Sequence, residues 1–345
     1  MSYRILIVSP FPPLLGGVSV SSERLYNNLK EDGYDVEKYN IIKFGHNPLL
    51  KIITFLWIPF FILFRKEYDI IHFHVPSKAR KIYVAFFMPF YKRAKVIFTL
   101  HGDVTNLISD KKTLWALGKA DKIICVQKGD TAKLPHELMG KSKDIPAFIM
   151  PKNVTECDIP QDILSFAKDN SAPLLLFYGS IRLKGALYDL YGIEDVLELC
   201  AHLESHKVNF RMLMLITYNS NDTEELNFMK KIVDAVSCKK NIMLVKSPKF
   251  SIIPIYKYTR IYLRPTKTDG DSLAVREAIL MNCTTIASNN AVRPKEVITY
   301  SNMEEFCSIV VDTIKTPVIS ETSEQLDYYN QIKDLYNETS THKII

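Results

Sequence analysis

The stretch RPTKTDGDSLAVREAILMNCTTIASNN, residues Arg264 to Asn290, sets Arg264, Asp269, Asp271, Arg276 and Glu277 between two apolar runs. Charge of that density where a strand gives way to a helix suits a ligand that carries both an anion and hydroxyl groups. The strand ends at Arg264 and Pro265, Gly270 lies in the loop, and Asp271 or Ser272 is placed to cap a helix continuing to Met281. Loop amides and the helix dipole then form an anion site. Along the helix, Ala274, Ala278 and Met281 make the packed stripe, with Leu273, Glu277 and Leu280 as the adjacent row. Glu277 is thereby held at the edge of the buried face, where a carboxylate costs free energy unless it accepts hydrogen bonds. Vicinal ribose hydroxyls are suitable donors; pairing with Arg293 or another cation is the alternative. Asp269, just ahead of the helix, can reach a sugar bound at the same mouth.

Three further loops carry similar chemistry. FYGSIRLKG puts Gly179, Arg182, Lys184 and Gly185 after an apolar run, and two cations on a glycine-containing loop suit a diphosphate. SPFPPLLGGVSVSSERL offers Gly16 and Gly17 for close backbone approach, with Ser19, Ser21 or Ser22 as a cap for the helix through Leu25 and Leu29. That loop fits neither G-x-G-x-x-G nor the P-loop, so it reads equally as a plain turn. HFH (His72 to His74) and TLHGD (Thr99 to Asp103) each place histidine at the end of a β-rich run. His72 falls inside its strand and reads as structural, whereas His101 at the strand end is placed to meet a ligand. No paired carboxylates accompany the histidines at metal-ligand spacing, so no metal is expected.

The elements that must hold these residues alternate between short β-rich runs and helical stretches, the pattern of parallel α/β layers. RILIVS, DIIHFHV, KVIFTLH and KIICV are the clear strands of the first half; PLLLFYG, FRMLMLI, NIMLV, IYLRP and TTIAS are those of the second. Two Rossmann-like halves follow, and 345 residues suit two domains. Periodicity fades across NVTECDIPQDILSFAKDNSAP, which gives domains at 1–165 and 166–316, with 317–345 as a C-terminal helix and tail. In that tail Leu326, Tyr329, Ile332 and Leu335 recur at helical spacing, an amphipathic face that must pack back on a domain.

Composition narrows the setting. The six cysteines lack any C-x-x-C pair and read as reduced core thiols. MSYRILIVSP enters a strand directly without the order of a signal peptide, so a cytoplasmic location is expected. The net charge of +6 is unevenly placed. Between Ile41 and Leu100 the basic residues are Lys43, Lys51, Arg65, Lys66, Lys78, Arg80, Lys81, Lys92, Arg93 and Lys95, against only Glu67 and Asp69. Trp57, Phe60, Phe61 and Phe64 share that segment, which favours an anionic membrane leaflet over nucleic acid. IITFLWIPFFILF, residues 52–64, is almost wholly apolar but shorter than the ~20 residues of a spanning helix. Pro59 also disfavours one straight span. A buried helix and a segment dipping into the interface are the two main readings.

Taken together, Gly16 and Gly17, the strand-end His101 and Gly102, ADKIICV, the basic loop and the acidic pair Asp269 and Glu277 resemble the GT-B glycosyltransferases, specifically retaining family four. The likeness runs over nearly the whole chain. It implies an α/β, GT-B fold: two Rossmann-like domains with parallel sheets facing a cleft, the N-terminal one for acceptor and the C-terminal one for donor. It implies a hexosyl-type transferase using a nucleotide-diphosphate sugar, without metal or other cofactor. RPTKTDGDSLAVREA looks like a subgroup of surface-polysaccharide biosynthesis, capsule or O-antigen, peripheral at the inner face of the membrane. By resemblance Glu277 holds the ribose, Asp269 and the amides after Gly270 (Asp271, Ser272, Leu273) the donor sugar, and Lys184 the diphosphate. Gly17 approaches the diphosphate, and His101 contacts the transferred sugar near its reacting carbon. Gly16, Gly179, Arg182 and Arg264 complete the donor site. The pattern is departed from at Ser180, where arginine commonly follows the glycine, and at Asp269, where glutamate is usual. A sugar-nucleotide epimerase or phosphorylase of the same fold, or a non-catalytic nucleotide-sugar-binding subunit, are the competing readings.

Overall fold

The computed structural model describes residues 3–12, 17–41, 48–65, 68–75, 77–91, 94–102, 104–181, 189–269, 272–316 and 327–341. The chain divides into two compact units, Met1–Lys152 with Asp327–Ile345, and Asn153–Leu326. The division falls earlier than residue 165 because the helix Gln161–Lys168 buries Ile163, Leu164 and Ala167 beside Leu174 and Leu176 of the second unit.

The first unit is a six-stranded parallel sheet of β1 (Arg4–Ser9), β2 (Asp35–Asn40), β3 (Ile70–Phe73), β4 (Lys95–Leu100), β5 (Lys122–Cys125) and β6 (Ser142–Asp144), ordered β2-β1-β3-β4-β5-β6. Alternate residues feed opposite faces. Leu6 and Val8 join Phe73, Phe98 and Leu100 in one core, while Ile5 and Ile7 join Leu25 and Leu29 on the other. The second core is closed by the C-terminal helix Tyr329–Thr341, which packs Tyr329, Ile332, Leu335 and Tyr336 onto it. The helical spacing of that apolar face is what lets a segment from the end of the chain complete the first unit.

The second unit repeats the plan with β7 (Leu174–Ser180), β8 (Arg211–Thr217), β9 (Ile242–Lys246), β10 (Ile261–Arg264), β11 (Thr284–Ser288) and β12 (Ile298–Tyr300), all parallel, ordered β12-β11-β10-β7-β8-β9. Leu175 and Phe177 face one helical layer, Leu174 and Leu176 the other. In each sheet the chain first extends to one side and then returns to the other, so strand order reverses between β1 and β3 and between β7 and β10. Crevices at the carboxyl ends of such strand pairs are where open α/β sheets take ligands.

Residues 52–64 form neither a span nor a wholly buried helix. They lie in two helices, Pro48–Leu56 and Ile58–Arg65, that meet at Trp57. No helix among the described residues is long and apolar enough to cross a membrane. The cysteines are free, but Cys157 and Cys238 are exposed rather than in the core.

Candidate functional site

The reversal between β7 and β10 is tied together by Arg264, the last residue of β10, whose Nη1 donates to the carbonyl of Tyr178 on β7 at 3.4 Å. Its guanidinium also grips Asp269 through Nε to Oδ2 (3.0 Å) and Nη2 to Oδ1 (3.3 Å), and lies 4.8 Å over the ring of Tyr191. Arg293 approaches from beyond β11. Its Nη1 donates to Asp269 Oδ2 at 2.9 Å, Nη2 to Thr266 Oγ1 at 2.9 Å and Nε to the Ser288 carbonyl at 3.3 Å. Two guanidiniums therefore share one carboxylate, all three side chains being nearly buried. Burial alone would raise the Asp269 carboxyl; the charge and hydrogen bonds of Arg264 and Arg293 outweigh it and hold the group below its ordinary value. Arg264 moves the other way: burial opposes its charge, but the Asp269 carboxylate keeps it firmly protonated.

Arg293, weighed from the sequence as a cation for Glu277, is engaged by another carboxylate. It pairs with Asp269, 24 residues earlier. Among the described residues, Asp269 Oδ1 accepts only from Arg264 Nη2. Arg264 and Arg293 each make three hydrogen bonds to the protein and brace the start of the loop after β10.

Glu277 lies on the helix Leu273–Leu280 and is 4% exposed. The buried stripe of that helix is Val275, Ala278 and Ile279, not Ala274 and Met281, because the helix sets Ala274, Leu280 and Met281 at the margin of the core. Met281 caps the end rather than continuing it, its amide bonding back to Glu277. Burial holds the hydroxyls of Tyr178, Tyr256 and Tyr262 protonated, and the Glu277 charge adds to it in each case. At the amino end, Ser272 is the cap residue by backbone conformation but makes no capping side-chain bond. The Tyr256 hydroxyl secures the first turn by donating to the Ala274 carbonyl at 3.1 Å.

The turn before the helix Ile193–Ser205 packs against the same loop. Lys267 N donates to the Leu190 carbonyl at 2.9 Å, and Lys267 Nζ pairs with Asp195 at 2.8 Å. Asp189 sits in the left-handed region (φ 51) and accepts from Glu194 N at 2.8 Å. Gly192, φ 70, has no room for a side chain, since a Cβ would collide with the Pro265 carbonyl. A hollow of about 160 Å³ lies at the carboxyl ends of β10 to β12, lined by Lys267, Ser288, Asn290 and Tyr300 among others. It is smaller than the ~300–1,000 Å³ of most ligand pockets and holds at most part of a nucleotide-sized ligand.

In the first unit three histidines cluster at the ends of β3 and β4. His72 is buried and structural: Nδ1 meets Tyr336 Oη and Nε2 meets Thr99 Oγ1, both at 2.6 Å. His74 Nδ1 lies 3.1 Å from His101 Nε2, and the His72 and His74 rings are 4.2 Å apart. Burial first and the neighbouring charge second push His72 down to about 3 and, beside Lys81, His101 down to about 4; His74 is also held well below its usual value. Burial lowers Lys81 to about 8. All three imidazoles are neutral at pH 7. Gly102, φ 92, makes the left-handed turn that carries the chain off β4 after His101. No group of histidine, cysteine and carboxylate side chains able to hold a metal occurs among the described residues.

No family model matches this sequence, and no curated protein is matched by it. Solved structures are. HepE of Anabaena, in complex with UDP and glucose, aligns over 98% of this chain and 99% of its own at a TM-score of 0.65 and 11% identity. Sucrose-phosphate synthase from Thermosynechococcus elongatus aligns over 99% and 97% at 0.63 and 14%. A glycosyltransferase from Rickettsia africae aligns over 99% and 94% at 0.61 and 16%. The chain has the GT-B fold.

On this GT-B chain the structure brings Arg264, Asp269, Ser272, Leu273 and Glu277 to one stretch after β10, with Gly179 across the strand reversal on β7. Gly179 is within the strand, and a Cβ there would meet the Phe177 ring at 2.6 Å and Tyr191 at 3.1 Å, so packing already requires glycine. Gly17 opens the helix Gly17–Glu31, and a Cβ there would meet no atom within 4 Å among the described residues. Ser19, Ser21 and Ser22 fall inside that helix and are not its caps: Ser22 bonds to Ser9 at 2.6 Å and Ser21 to the Ala147 carbonyl. Gly16, Arg182, Lys184, Gly270 and Asp271 lie outside the described residues. Sequence reasoning missed Thr266, His74 and Lys81, and saw Arg293 only as a partner for Glu277.

Proposed function

We propose that this protein is a retaining glycosyltransferase that moves a hexosyl group from a nucleotide-diphosphate sugar to a lipid-linked or growing surface glycan. The observation that carries the reading is the buried carboxylate of Glu277, presented on the helix after β10 at the strand reversal of the second sheet. A carboxylate in that setting is suited to accept hydrogen bonds from the vicinal hydroxyls of a ribose. The likeness to HepE, solved with UDP and glucose, supports the same donor class.

In this reading the second unit binds the donor. Glu277 accepts from the ribose, Lys184 and Arg182 take the diphosphate, and the amides of residues 271–273 with Asp269 Oδ1 hold the sugar. The bond between the anomeric carbon and the phosphate oxygen breaks as the acceptor oxygen bonds to that carbon on the same face. The acceptor proton passes to the leaving diphosphate. Charge developing on that diphosphate is offset by the two cations, each such contact worth on the order of a few kcal/mol in the barrier. His101, neutral at pH 7, serves as a hydrogen-bonding group for a sugar hydroxyl and not as a charged acid.

The test is turnover with membrane-extracted acceptor and a donor panel, with the product anomer read by NMR. Wild type is expected to give product that keeps the donor's configuration, and Glu277→Ala or Lys184→Ala to fold but lose turnover. Epimerised donor formed without acceptor, or full activity in either variant, contradicts the assignment.

A further inference from the structure

The helices Pro48–Leu56 and Ile58–Arg65 run almost into one another: Trp57 N donates to the Ile53 carbonyl at 3.0 Å and Phe61 N to the Trp57 carbonyl at 2.9 Å. Their residues therefore keep helical register across the junction. Phe55, Ile58 and Ile62 turn inward to the core of the first unit. Ile52, Ile53, Leu56, Trp57, Phe60 and Phe64 are all exposed, Trp57 by 53% and Phe64 by 76%. Spacing at positions 53, 57, 60 and 64 makes them one stripe.

The stripe does not end with its own helices. Trp57 is 5.7 Å from Phe60 and 6.4 Å from Phe64, and Phe60 is 6.4 Å from Phe87 of the neighbouring helix Lys78–Phe87. Phe87 in turn touches the rings of Phe86 (5.5 Å) and Phe90 (6.4 Å), which are 65% and 56% exposed. A connected aromatic surface of this kind is rare on a protein that meets only water.

We propose that this aromatic ridge is the surface by which the protein docks, without crossing, on an anionic lipid bilayer. Charge selects that occupant. From Ile41 to Leu100 there are ten basic side chains and two acidic ones; Lys81 is buried and Lys95 pairs with Asp121, while in the sequence Lys51, Arg65 and Lys66 flank the first apolar run and Lys92 and Arg93 come shortly after Phe90. Arg65 stands half exposed at the end of its helix, paired with Glu37 at 3.2 Å. A second copy of the chain would set these cations against their own kind, whereas anionic headgroups satisfy them while the rings enter the acyl boundary. The inference deepens the proposed function by assigning the membrane partner; it draws on the first unit alone, so it stands or falls separately from donor binding.

The test is flotation of the full chain with vesicles of phosphatidylcholine containing phosphatidylglycerol, compared with phosphatidylcholine alone. The chain has two tryptophans, so Trp115→Phe leaves Trp57 as sole emitter, and its emission is expected to shift to the blue on the anionic vesicles. Phe60→Ser with Phe64→Ser, both at exposed positions, is expected to weaken partitioning about tenfold or more while leaving the melting temperature unchanged. Absence of binding to the anionic vesicles, equal binding to neutral ones, or equal binding by the double variant overturns the proposal. So does concentration-dependent dimerisation that the double variant abolishes in place of vesicle binding. UDP-induced thermal stabilisation, measured on the same samples, reports on the donor reading independently.

Discussion

Asp269 Oδ2 accepts from Arg293 Nη1 at 2.9 Å and from Arg264 Nε at 3.0 Å, so two guanidiniums meet on one oxygen. Replacing one partner of such a buried set strands the others, at a cost of roughly 3–5 kcal/mol. Asp269→Asn is therefore expected to lower stability by that order, seen as a large fall in urea midpoint with unchanged slope. An Asp269→Asn protein as stable as wild type, but inactive, would make this carboxylate purely catalytic and remove its scaffolding role.

Gly192 is expected to tolerate no side chain. Its left-handed backbone and the Pro265 carbonyl beside it give two separate penalties, strain and collision. Gly192→Ala should cost several kcal/mol, on the order of the largest single-residue effects, and should disturb the loop after β10. Gly17→Ala, where a Cβ would meet no atom within 4 Å among the described residues, is the control for stability and is expected to melt like wild type. Equal melting temperatures for the two variants would contradict the packing described for the 189–192 turn.

The histidine cluster makes the first unit acid-sensitive. The unfolded chain protonates these side chains near pH 6.5, while the folded unit keeps His101 neutral to about 4 and His72 to about 3, with His74 also well below 6.5. Below pH 6.5 the unfolded state thus binds more protons than the folded one. Stability is full above about pH 6.5 and falls as pH drops through the folded values. Three such groups give a slope of up to ~4 kcal/mol per pH unit. Trp57 and Trp115 both lie in the first unit, so tryptophan fluorescence reports its urea midpoint. His74→Gln is expected to flatten the dependence between pH 6.5 and 5, and a wild-type midpoint constant over that range would contradict it.

Most of the strands that sequence reasoning found are buried on both faces, such as RILIVS and FRMLMLI, whose burial leaves an unbroken apolar run; β9 is an edge strand, partly buried, and was found because its own run, IMLV, is apolar. Sequence reasoning missed β2, β6 and β12, with sequences DVEKYN, SKD and ITY. All three are sheet edges, where one side is unpaired and polar residues cost nothing, so neither apolar runs nor alternation marks them. The grouping of Arg264, Asp269 and Glu277 was legible because they lie close in the chain, at the end of β10, in the loop after it and on the next helix. Contacts made at a distance were not. Nothing in the spacing of Asp269 and Arg293, or of His72 and Tyr336 264 residues later, announces the pair. The serines after Gly17 looked like caps because a cap and an interior helix–strand contact use the same short hydroxyl.

The central claim is that the second unit binds a nucleotide-diphosphate sugar through Glu277. Thermal shift with UDP-, GDP-, ADP- and dTDP-sugars, on wild type and Glu277→Gln, tests it most directly, because a ligand at 100 times its Kd adds ~2.7 kcal/mol to the folded state. The expected result is a clear rise in wild-type melting temperature with one nucleotide class, lost in a Glu277→Gln protein that still folds. No response to any of the four, or an undiminished response in the variant, would contradict the account.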